Sequence, residues 1–448
     1  MNDLIGNNTM QNNQPIQRIV DLTDVSKNII YNMSVEEARN LVKNGNPREV
    51  RSIDGQFALV AVNGKTVRLA RSISRPLRYF IAKHKDGPCL VAADRMDLIF
   101  DFLKSKGLDD QFHPSYTRMA PAHYVTEIEL VGCPDPIPTH QRFFSPDRNS
   151  LDPDVNHIGL VYMQAVYQEI FKWLQKVDSK APIGICFSGG IDSGAVFLLT
   201  YYAIRQLGQS PARLKAFSLA IDGGGEDLAQ AWDFMDSIGL SLFLEPIKIS
   251  QNAVNWQETI RIVEDYKPLD IQAATMNLAL CQGIRERHPE WVYLIDGDGG
   301  DENLKDYPIE ENPVRSVLNN LMLYQEGWGV DSIKHSITYS GGLSRAYTRT
   351  YATTSALGFD GFSPYTLPNV IEVAEAIPFV TLTDWSHEKL YQLKGEIVAK
   401  GVKAITGLNM PVFPKRRFQH GVISKGLFAN LFPLEQTVYR RTFNELYE

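Results

Sequence analysis

The segment around residue 190 constrains the fold of this chain more than any other. Ile183-Gly184-Ile185-Cys186-Phe187 is a short, continuous apolar run, typical of a parallel strand buried on both faces. Ser188-Gly189-Gly190-Ile191-Asp192-Ser193 follows directly, and the next apolar residues recur with helical spacing up to a stop signal at Gly208. A strand, a glycine-containing turn and a helix in succession predict an α/β fold with a ligand site beyond the carboxyl end of the strand.

The same alternation continues downstream. Apolar strands are predicted at residues 215–220, 242–249 and 291–295, with helices at residues 228–238 and 273–287 between them. This order predicts a doubly wound parallel sheet whose connections are right-handed crossovers. Beyond about residue 311 the sequence predicts mainly helices and irregular structure.

The first part of the chain has a different pattern. Residues 56–62 and 66–70 read as two strands, and Asn63-Gly64 between them predicts a hairpin. A further strand is predicted at residues 90–93 and a helix at residues 96–106. Five prolines then crowd a short stretch, which predicts a linker and a domain boundary near residue 150. The predicted domains are therefore residues 1–150 and 151–448; the prolines are Pro134, Pro136, Pro138, Pro146 and Pro153.

Composition excludes several classes of protein. The net charge of −7 provides no broad basic field, so nucleic acid is not expected as a partner. The longest apolar stretch is too short to span a bilayer, and the N-terminus does not resemble a signal peptide. The four cysteines are scattered with no CxxC pair, which argues against structural zinc and fits a reducing compartment. We expect a soluble, cytoplasmic protein.

The turn at residues 188–193 has the composition of an anion site. Its glycines let backbone N–H groups approach a ligand, its serines add donors, and the following helix adds a partial positive charge. Asp192 would repel a bare phosphate, so its presence suggests an intervening Mg²⁺. The alternative is an ordinary strand-to-helix turn in which the Ser and Asp residues act as caps.

Two other polar segments are candidates for the same site. Residues 296–302 carry four acidic residues directly after the fourth predicted strand; the alternatives are a solvated acidic loop or a calcium loop, although the EF-hand spacing is missing. Residues 414–422 carry Lys415-Arg416-Arg417, which could equally be a solvated basic loop. If Lys415 is not catalytic, another lysine such as Lys394 is the next candidate.

These three segments together resemble one family. SGGIDS is similar to the pyrophosphate-binding loop SGGxDS of the ATP-pyrophosphatase superfamily, which cleaves ATP between its α- and β-phosphates. Residues 296–302 and 414–422 narrow the resemblance to asparagine synthetases and β-lactam synthetases. The resemblance implies bound ATP and Mg²⁺, an adenine-nucleotide α-hydrolase-like sheet with extra C-terminal helices, and Asp192 and Asp301 as metal ligands. It assigns Lys415 and, from a weaker match at residues 360–365, Asp360 to catalysis. Its nucleotide-binding residues are Ser188, Gly189, Gly190, Asp192, Ser193, Ser218 and Gly297.

The first domain resembles the glutaminase domain of the same family, an αββα sandwich of the N-terminal-nucleophile type. The matches are residues 54–58, 70–79 and 92–95. Residue 2 is Asn, where the glutaminase has its nucleophilic cysteine, so we expect this domain to be inactive toward glutamine.

The resemblance implies an ATP-dependent amide- or lactam-forming synthetase. Its partners would be small-molecule carboxylate and amine substrates, and a homodimer is left open. Two alternatives remain: an enzyme that adenylates a nucleic-acid base, and a non-catalytic scaffold with a vestigial ATP site.

Overall fold

The computed structural model describes residues 18–132, 136–222, 225–304, 349–384, 386, 388–414, 421–423 and 425–448. Among these residues it contains two four-stranded sheets, a five-stranded sheet and a small two-stranded one. The first two sheets lie in the N-terminal part of the chain, and the five strands of the third come from residues 183–362. The predicted α/β class is confirmed.

The N-terminal part pairs mostly antiparallel strands. One sheet has the order β1-β7-β6-β8 and the other the order β10-β9-β5-β4. The predicted hairpin is present: β4 and β5 pair antiparallel from Ala58 opposite Arg71 to Asn63 opposite Thr66. The elements of this part are β1 (Ile19–Asp21), β2 (Ile29–Ile30), α1 (Val35–Asn44), α2 (Pro47–Val50), β3 (Gly55–Gln56), β4 (Ala58–Asn63), β5 (Thr66–Arg71), β6 (Arg78–Ala82), β7 (Cys89–Ala93), α3 (Met96–Ser105), β8 (Arg118–Met119), β9 (Tyr124–Glu129) and β10 (Thr139–Arg142).

The second part of the chain alternates strands and helices, as its sequence predicts. Its elements are α4 (Val155–Lys176), β11 (Ile183–Cys186), α5 (Ile191–Gln206), β12 (Leu214–Ile221), α6 (Asp227–Ser237), β13 (Leu244–Ile249), α7 (Trp256–Val263), α8 (Pro268–Arg287), β14 (Tyr293–Ile295), α9 (Gly300–Asn303), α10 (Arg349–Ala356), β15 (Asp360–Phe362), α11 (Pro368–Ala376), α12 (Phe379–Thr383), α13 (Glu388–Thr406), α14 (Lys425–Leu431) and α15 (Gln436–Glu445).

The five-stranded sheet is parallel throughout and has the order β13-β12-β11-β14-β15. The chain moves outward in one direction from β11 to β13 and then crosses to β14 on the other side. The topological switch point is therefore at the carboxyl ends of the neighbouring strands β11 and β14. Open parallel sheets bind their ligands in the crevice at such a point. The fifth strand, β15, is not predicted by the sequence, because its three residues are too short to give a periodic signal.

Helices cover both faces of this sheet. Neighbouring residues of one strand belong to different apolar clusters: Ala216 and Ile295 pack with α4, α5 and α13, whereas Phe217 and Leu294 pack with α8. Alternate side chains of a strand point to opposite faces, so the sheet is buried on both sides. This explains why its strands are continuous apolar runs.

The two parts of the chain share a core. One apolar cluster contains Val91 and Ile99 from the N-terminal part together with Ile260, Leu278 and Phe443 from the second. The predicted boundary near residue 150 falls between β10 and α4, and the division into two domains there stays a prediction. No helix among the described residues has both the length and the apolarity that a membrane span requires.

Candidate functional site

The turn after β11 is held in shape by its own side chains. Ser188 Oγ lies 3.1 Å from Ser193 Oγ, and the Gly190 backbone N–H donates to Ser188 Oγ over 3.3 Å. Gly189 has a φ of +71°, and a Cβ there would lie 2.9 Å from the Ala231 backbone in α6. Only glycine satisfies both the left-handed backbone and this close approach. The sequence SGGIDS thus builds a tight turn pressed against α6.

The first turn of α5 points its N–H groups toward the same turn. Gly190 is the N-cap and supplies no side-chain hydrogen bond to the helix. The first N–H groups of an α-helix have no partner within the helix, and the aligned peptide dipoles favour an anion beside them. A phosphate group is the kind of ligand that such a helix N-terminus favours.

The acidic loop after β14 is built on a buried aspartate. Asp296 is 4% exposed and accepts hydrogen bonds from Ser363 Oγ and from the Asp298 backbone N–H, both at 2.9 Å. Burial, and next the charge of Asp298, raise the pKa of Asp296 well above its ordinary value. Asp298 itself accepts from the hydroxyl and backbone N–H of Thr350, at 2.7 and 3.2 Å. Asp296 and Asp298 therefore both form hydrogen bonds with the protein itself.

The two loops interlock across the switch point. A Cβ on Gly297 would lie 3.1 Å from the Asp192 Cβ and 3.1 Å from the Ser193 nitrogen, and a Cβ on Gly300 would overlap the Asp192 carboxyl group. The glycines of the acidic loop leave the space that the Asp192 side chain fills. This brings Asp192 close to Asp301, which follows Gly300 in the first turn of α9.

A buried lysine joins the two predicted metal ligands. Lys394, in α13, is 2% exposed, and its Nζ donates to Asp192 Oδ2 over 2.6 Å and also to Asp301 Oδ1. Both carboxylates remain partly open to solvent, with side-chain exposures of 20% for Asp192 and 39% for Asp301. The sequence carried one signal for this residue, a lysine within the apolar face of a helix that also contains Leu390 and Ile397.

A buried polar layer lies behind this cluster. Tyr162 and Tyr365 have stacked rings with centroids 6.3 Å apart, and Asn303 donates to Tyr162 Oη at 3.1 Å and to the Tyr365 carbonyl at 3.0 Å. Tyr365 Oη in turn donates to the Asp192 carbonyl at 3.4 Å. Burial raises the pKa of both phenols, so both remain neutral. The Asp192 backbone and α9 are therefore linked through hydrogen bonds to the same pair of buried tyrosines.

Two predicted site residues, Ser218 and Asp360, lie outside these loops. Ser218, in β12, is 1% exposed, and its Oγ has no hydrogen-bond partner within the described residues, which leaves it free to contact a ligand. Asp360 is exposed at the beginning of β15, opposite Tyr293, whereas the loops of the site follow the carboxyl ends of the strands. The structure therefore does not bring Asp360 to the cluster; Ser363, just beyond the same strand, does contact it.

The basic C-terminal segment is described only at its ends. Lys415 lies outside the described residues. Before it, the Phe413 carbonyl accepts a hydrogen bond from Tyr391 Oη at 2.5 Å. After it, Gly421 packs directly against Gly225 and Asp227, and the Val422 carbonyl accepts from the Ile221 N–H at 3.2 Å. Val422 thus lies beside Ile221, at the carboxyl end of β12.

These residues fit ATP and Mg²⁺. Magnesium usually takes one or two carboxylates from a protein and the rest of its ligands from phosphates and water. Asp192 and Asp301 supply such a pair, bridged by Lys394 and partly open to solvent. The adjoining turn and the first turn of α5 supply backbone N–H groups for the phosphates.

Comparison with known proteins agrees with this site. Residues 174–358 match the family described as asparagine synthase, a range that contains the turn after β11 and the loop after β14. No curated protein matches the chain. Members of this family are ATP-dependent amide-forming ligases. Its sheet topology and its two loops agree with this match, which makes residues 174–358 similar to the asparagine synthase family.

Proposed function

We propose that this protein is an AMP-forming carbon–nitrogen ligase. A substrate carboxylate attacks the α-phosphorus of ATP, which forms an acyl adenylate and releases pyrophosphate. An amine or ammonia then attacks the acyl carbon, which forms an amide or lactam and releases AMP. The observation that carries this proposal is the convergence of Asp192, Asp301 and Lys394 beside the glycine turn at the switch point of the sheet.

The first half of the reaction places new negative charge on the leaving pyrophosphate. The backbone N–H groups of residues 189–193 and the serine hydroxyls bind its oxygens, and Ser218 lines the neighbouring strand for the nucleoside. Mg²⁺, held by Asp192 and Asp301, would offset phosphate charge when bound. Lys394 adds a fixed positive charge at the same point, and fixed charges of this kind lower the barrier without reorganisation.

Lys415 is the second cation of this proposal. The described residues nearest to it are Phe413 and Pro414 before it and Gly421 after it, and Gly421 packs on Asp227 at the beginning of α6. We propose that Lys415 meets the phosphate or acyl intermediate from this side. Asp360 has no part in this proposal, because it lies at the beginning of β15 and the loops of the site follow the carboxyl ends of the strands.

The second half of the reaction needs a nitrogen nucleophile, and we propose that glutamine is not its source. Among the described residues of the N-terminal part, Cys89 is the only cysteine, and it is 1% exposed within β7. Burial raises the pKa of its thiol to about 12, so it is a poor nucleophile. We infer that the N-terminal domain is an inactive glutaminase-like domain and that the amine comes from solution or from the substrate itself.

The cellular location of the protein is part of the same proposal. Cys186 and Cys281 are both free thiols. Unpaired thiols are typical of reducing compartments. We therefore place the protein in the cytoplasm.

The experiment is a nucleotide product assay over a panel of carboxylates and amines. ATP labelled at the α- or at the γ-phosphorus is mixed with protein and Mg²⁺, and the products are separated by chromatography. We expect AMP and pyrophosphate in equal amounts, and only with a suitable carboxylate present. ADP and phosphate would refute the AMP-forming assignment. Dependence on added RNA, or no turnover with any carboxylate, would favour the base-modifying or the scaffold alternative.

A further inference from the structure

We propose that Lys394 is a positioning residue that holds Asp192 and Asp301 at a common cation position, so that removing its charge makes the protein alone bind a divalent metal more tightly. The inference rests on the proposed function only in taking these two aspartates as the metal ligands. It concerns the energetic link between an internal ammonium and a metal, which neither the fold nor the family match assigns.

The position of Lys394 is set by backbone packing. Helices α13 and α4 approach each other through glycines: a Cβ on Gly401 would overlap the Gly159 carbonyl oxygen, and a Cβ on Gly159 would lie 2.6 Å from the Ile397 carbonyl oxygen. Lys394 lies seven residues before Gly401, two helical turns away on the same face. The helix that carries the lysine is thus fixed against the core before any charge is considered.

The next residue brings the helix close to α5. A Cβ on Gly395 would lie 2.9 Å from a methyl carbon of Val412 and 3.7 Å from Ile191 Cδ1. Ile191 is the first residue of α5, and Asp192 is the second. The Ile191 distance is an ordinary van der Waals contact, so α13 packs beside the beginning of α5 at the position next to the lysine.

The Lys394 ammonium and the two carboxylates are held close together. The ammonium is 2% exposed, so its ion pairs with Asp192 and Asp301 compensate the cost of burying its charge. Without it, Asp192 and Asp301 would repel each other across the interlocked loops. A metal ion bound between these two carboxylates would be repelled by the positive charge of Lys394, so Lys394 weakens metal binding.

This predicts a reciprocal effect of one substitution. Lys394→Met keeps the length of the side chain and removes its charge. In the absence of metal the variant should have a lower melting temperature than the wild type, because the carboxylates lose their cation. It should also bind Mg²⁺, or the spectroscopic substitute Mn²⁺, about tenfold more tightly or better, since a nearby like charge of this kind costs on the order of 1.4 kcal/mol or more. Metal should therefore raise the melting temperature of the variant more than that of the wild type.

The experiment uses the full chain without nucleotide or substrate. Mn²⁺ affinity is measured by electron paramagnetic resonance, and melting temperature is measured by calorimetry in EDTA and in Mg²⁺. Lys400→Met is the matched control, because Lys400 is an exposed lysine on the same helix. It should change neither quantity.

A double variant distinguishes the loss of charge in Lys394→Met from general misfolding. Lys394→Met with Asp301→Asn removes one charge of each sign and should melt at a higher temperature in EDTA than Lys394→Met alone, with the tighter metal binding lost. Equal metal affinity in Lys394→Met and the wild type would overturn the inference while leaving the proposed ligase activity intact. If neither protein binds Mn²⁺, both the inference about Lys394 and the assignment of the two aspartates as metal ligands are wrong. The nucleotide product assay then tests the ligase activity separately.

Discussion

A methyl group on Gly300 would overlap the carboxyl group of Asp192 and lie 3.0 Å from its Cβ. The two residues are more than a hundred positions apart, and the loop after β14 reaches the turn after β11 only because this position has no side chain. Gly300 does not have a positive φ, so glycine is required here only because there is no space for a side chain.

This relationship predicts that Gly300→Ala displaces Asp192. We expect pyrophosphate release to fall by roughly two orders of magnitude, the scale seen when one preorganised electrostatic contact is lost. Steady-state release measured with a responsive carboxylate checks this. Gly132→Ala is the control, because a Cβ there meets nothing within 4 Å. Undiminished turnover in Gly300→Ala would mean that the placement of Asp192 is unimportant.

Neutralising the paired carboxylates should stop the same step. Asp301→Asn keeps the size of the side chain but removes one negative charge beside Lys394. We expect pyrophosphate release to fall by roughly a hundredfold or more, partly recovered at high Mg²⁺. Asp233→Asn, an exposed aspartate in α6, provides the control. Wild-type release by Asp301→Asn at ordinary Mg²⁺ would limit Asp301 to a structural role.

Asp296 should make stability fall as pH rises. Its pKa is raised by burial and by Asp298, so the folded chain holds this proton above about pH 4, where the unfolded chain has released it. Its contribution to the free energy of unfolding is complete below that pH and is lost as pH rises toward the folded pKa. Asp296→Asn keeps an acceptor for Ser363 and should flatten this decline. Urea unfolding of both proteins from pH 4 to pH 8 tests it, and parallel curves would contradict the buried acid.

Glu264 should be one of the main links between the two parts of the chain. Its carboxylate is 2% exposed, accepts from the Met96 and Asp97 N–H groups at the beginning of α3, and faces Arg78 at 3.3 Å. Glu264→Ala leaves buried donors and a buried guanidinium without this partner, at a cost of about 3 kcal/mol or more in the free energy of unfolding. Urea unfolding measures the loss. Glu258→Gln, which breaks only a surface pair with Arg261, should cost less than about 1 kcal/mol. Equal effects of the two variants would remove Glu264 from this role.

Cys186 should be unreactive although it precedes the glycine turn. A hydrogen bond with Cys281 and burial raise the pKa of its thiol well above the ordinary value, and Asp296 and Asp298 add to the effect. Little thiolate is then present near pH 8, and the thiolate is the reactive form. Alkylation by iodoacetamide, followed by mass spectrometry with free glutathione as internal reference, should give much slower labelling until urea is added. Labelling of Cys186 at the rate of glutathione would show an exposed thiolate.

The sequence predicts the strands of the large sheet well for a physical reason. Strands buried on both faces must be continuous apolar runs. The glycines in the loops after β11 and β14 mark the switch point. The pairing of Asp192 with Asp301 is implied only by the resemblance of the two loops to one family, and the structure adds that β11 and β14, the strands before them, are neighbours. β15 is too short to have a recognisable pattern, and its register with β14 is set by tertiary pairing.

Lys394 illustrates what a linear pattern does not contain. Its contact with Asp192 joins residues about two hundred positions apart and depends on the close approach of α13 to α4 at Gly159 and Gly401. A lysine on an apolar helix face signals a buried charge, but its partners are fixed only by the packing of three helices. The basic run at Lys415 has the stronger sequence signal and lies outside the described residues.

The most direct test of the account follows one oxygen atom. A carboxylate substrate found in the product assay is labelled with ¹⁸O in its carboxyl group and converted with ATP and its amine. If the carboxylate attacks the α-phosphorus, the oxygen that bridges acyl group and phosphorus leaves with AMP, so mass spectrometry should find one ¹⁸O in each AMP formed. AMP without ¹⁸O, or ¹⁸O in inorganic phosphate, would contradict adenylation of the carboxylate.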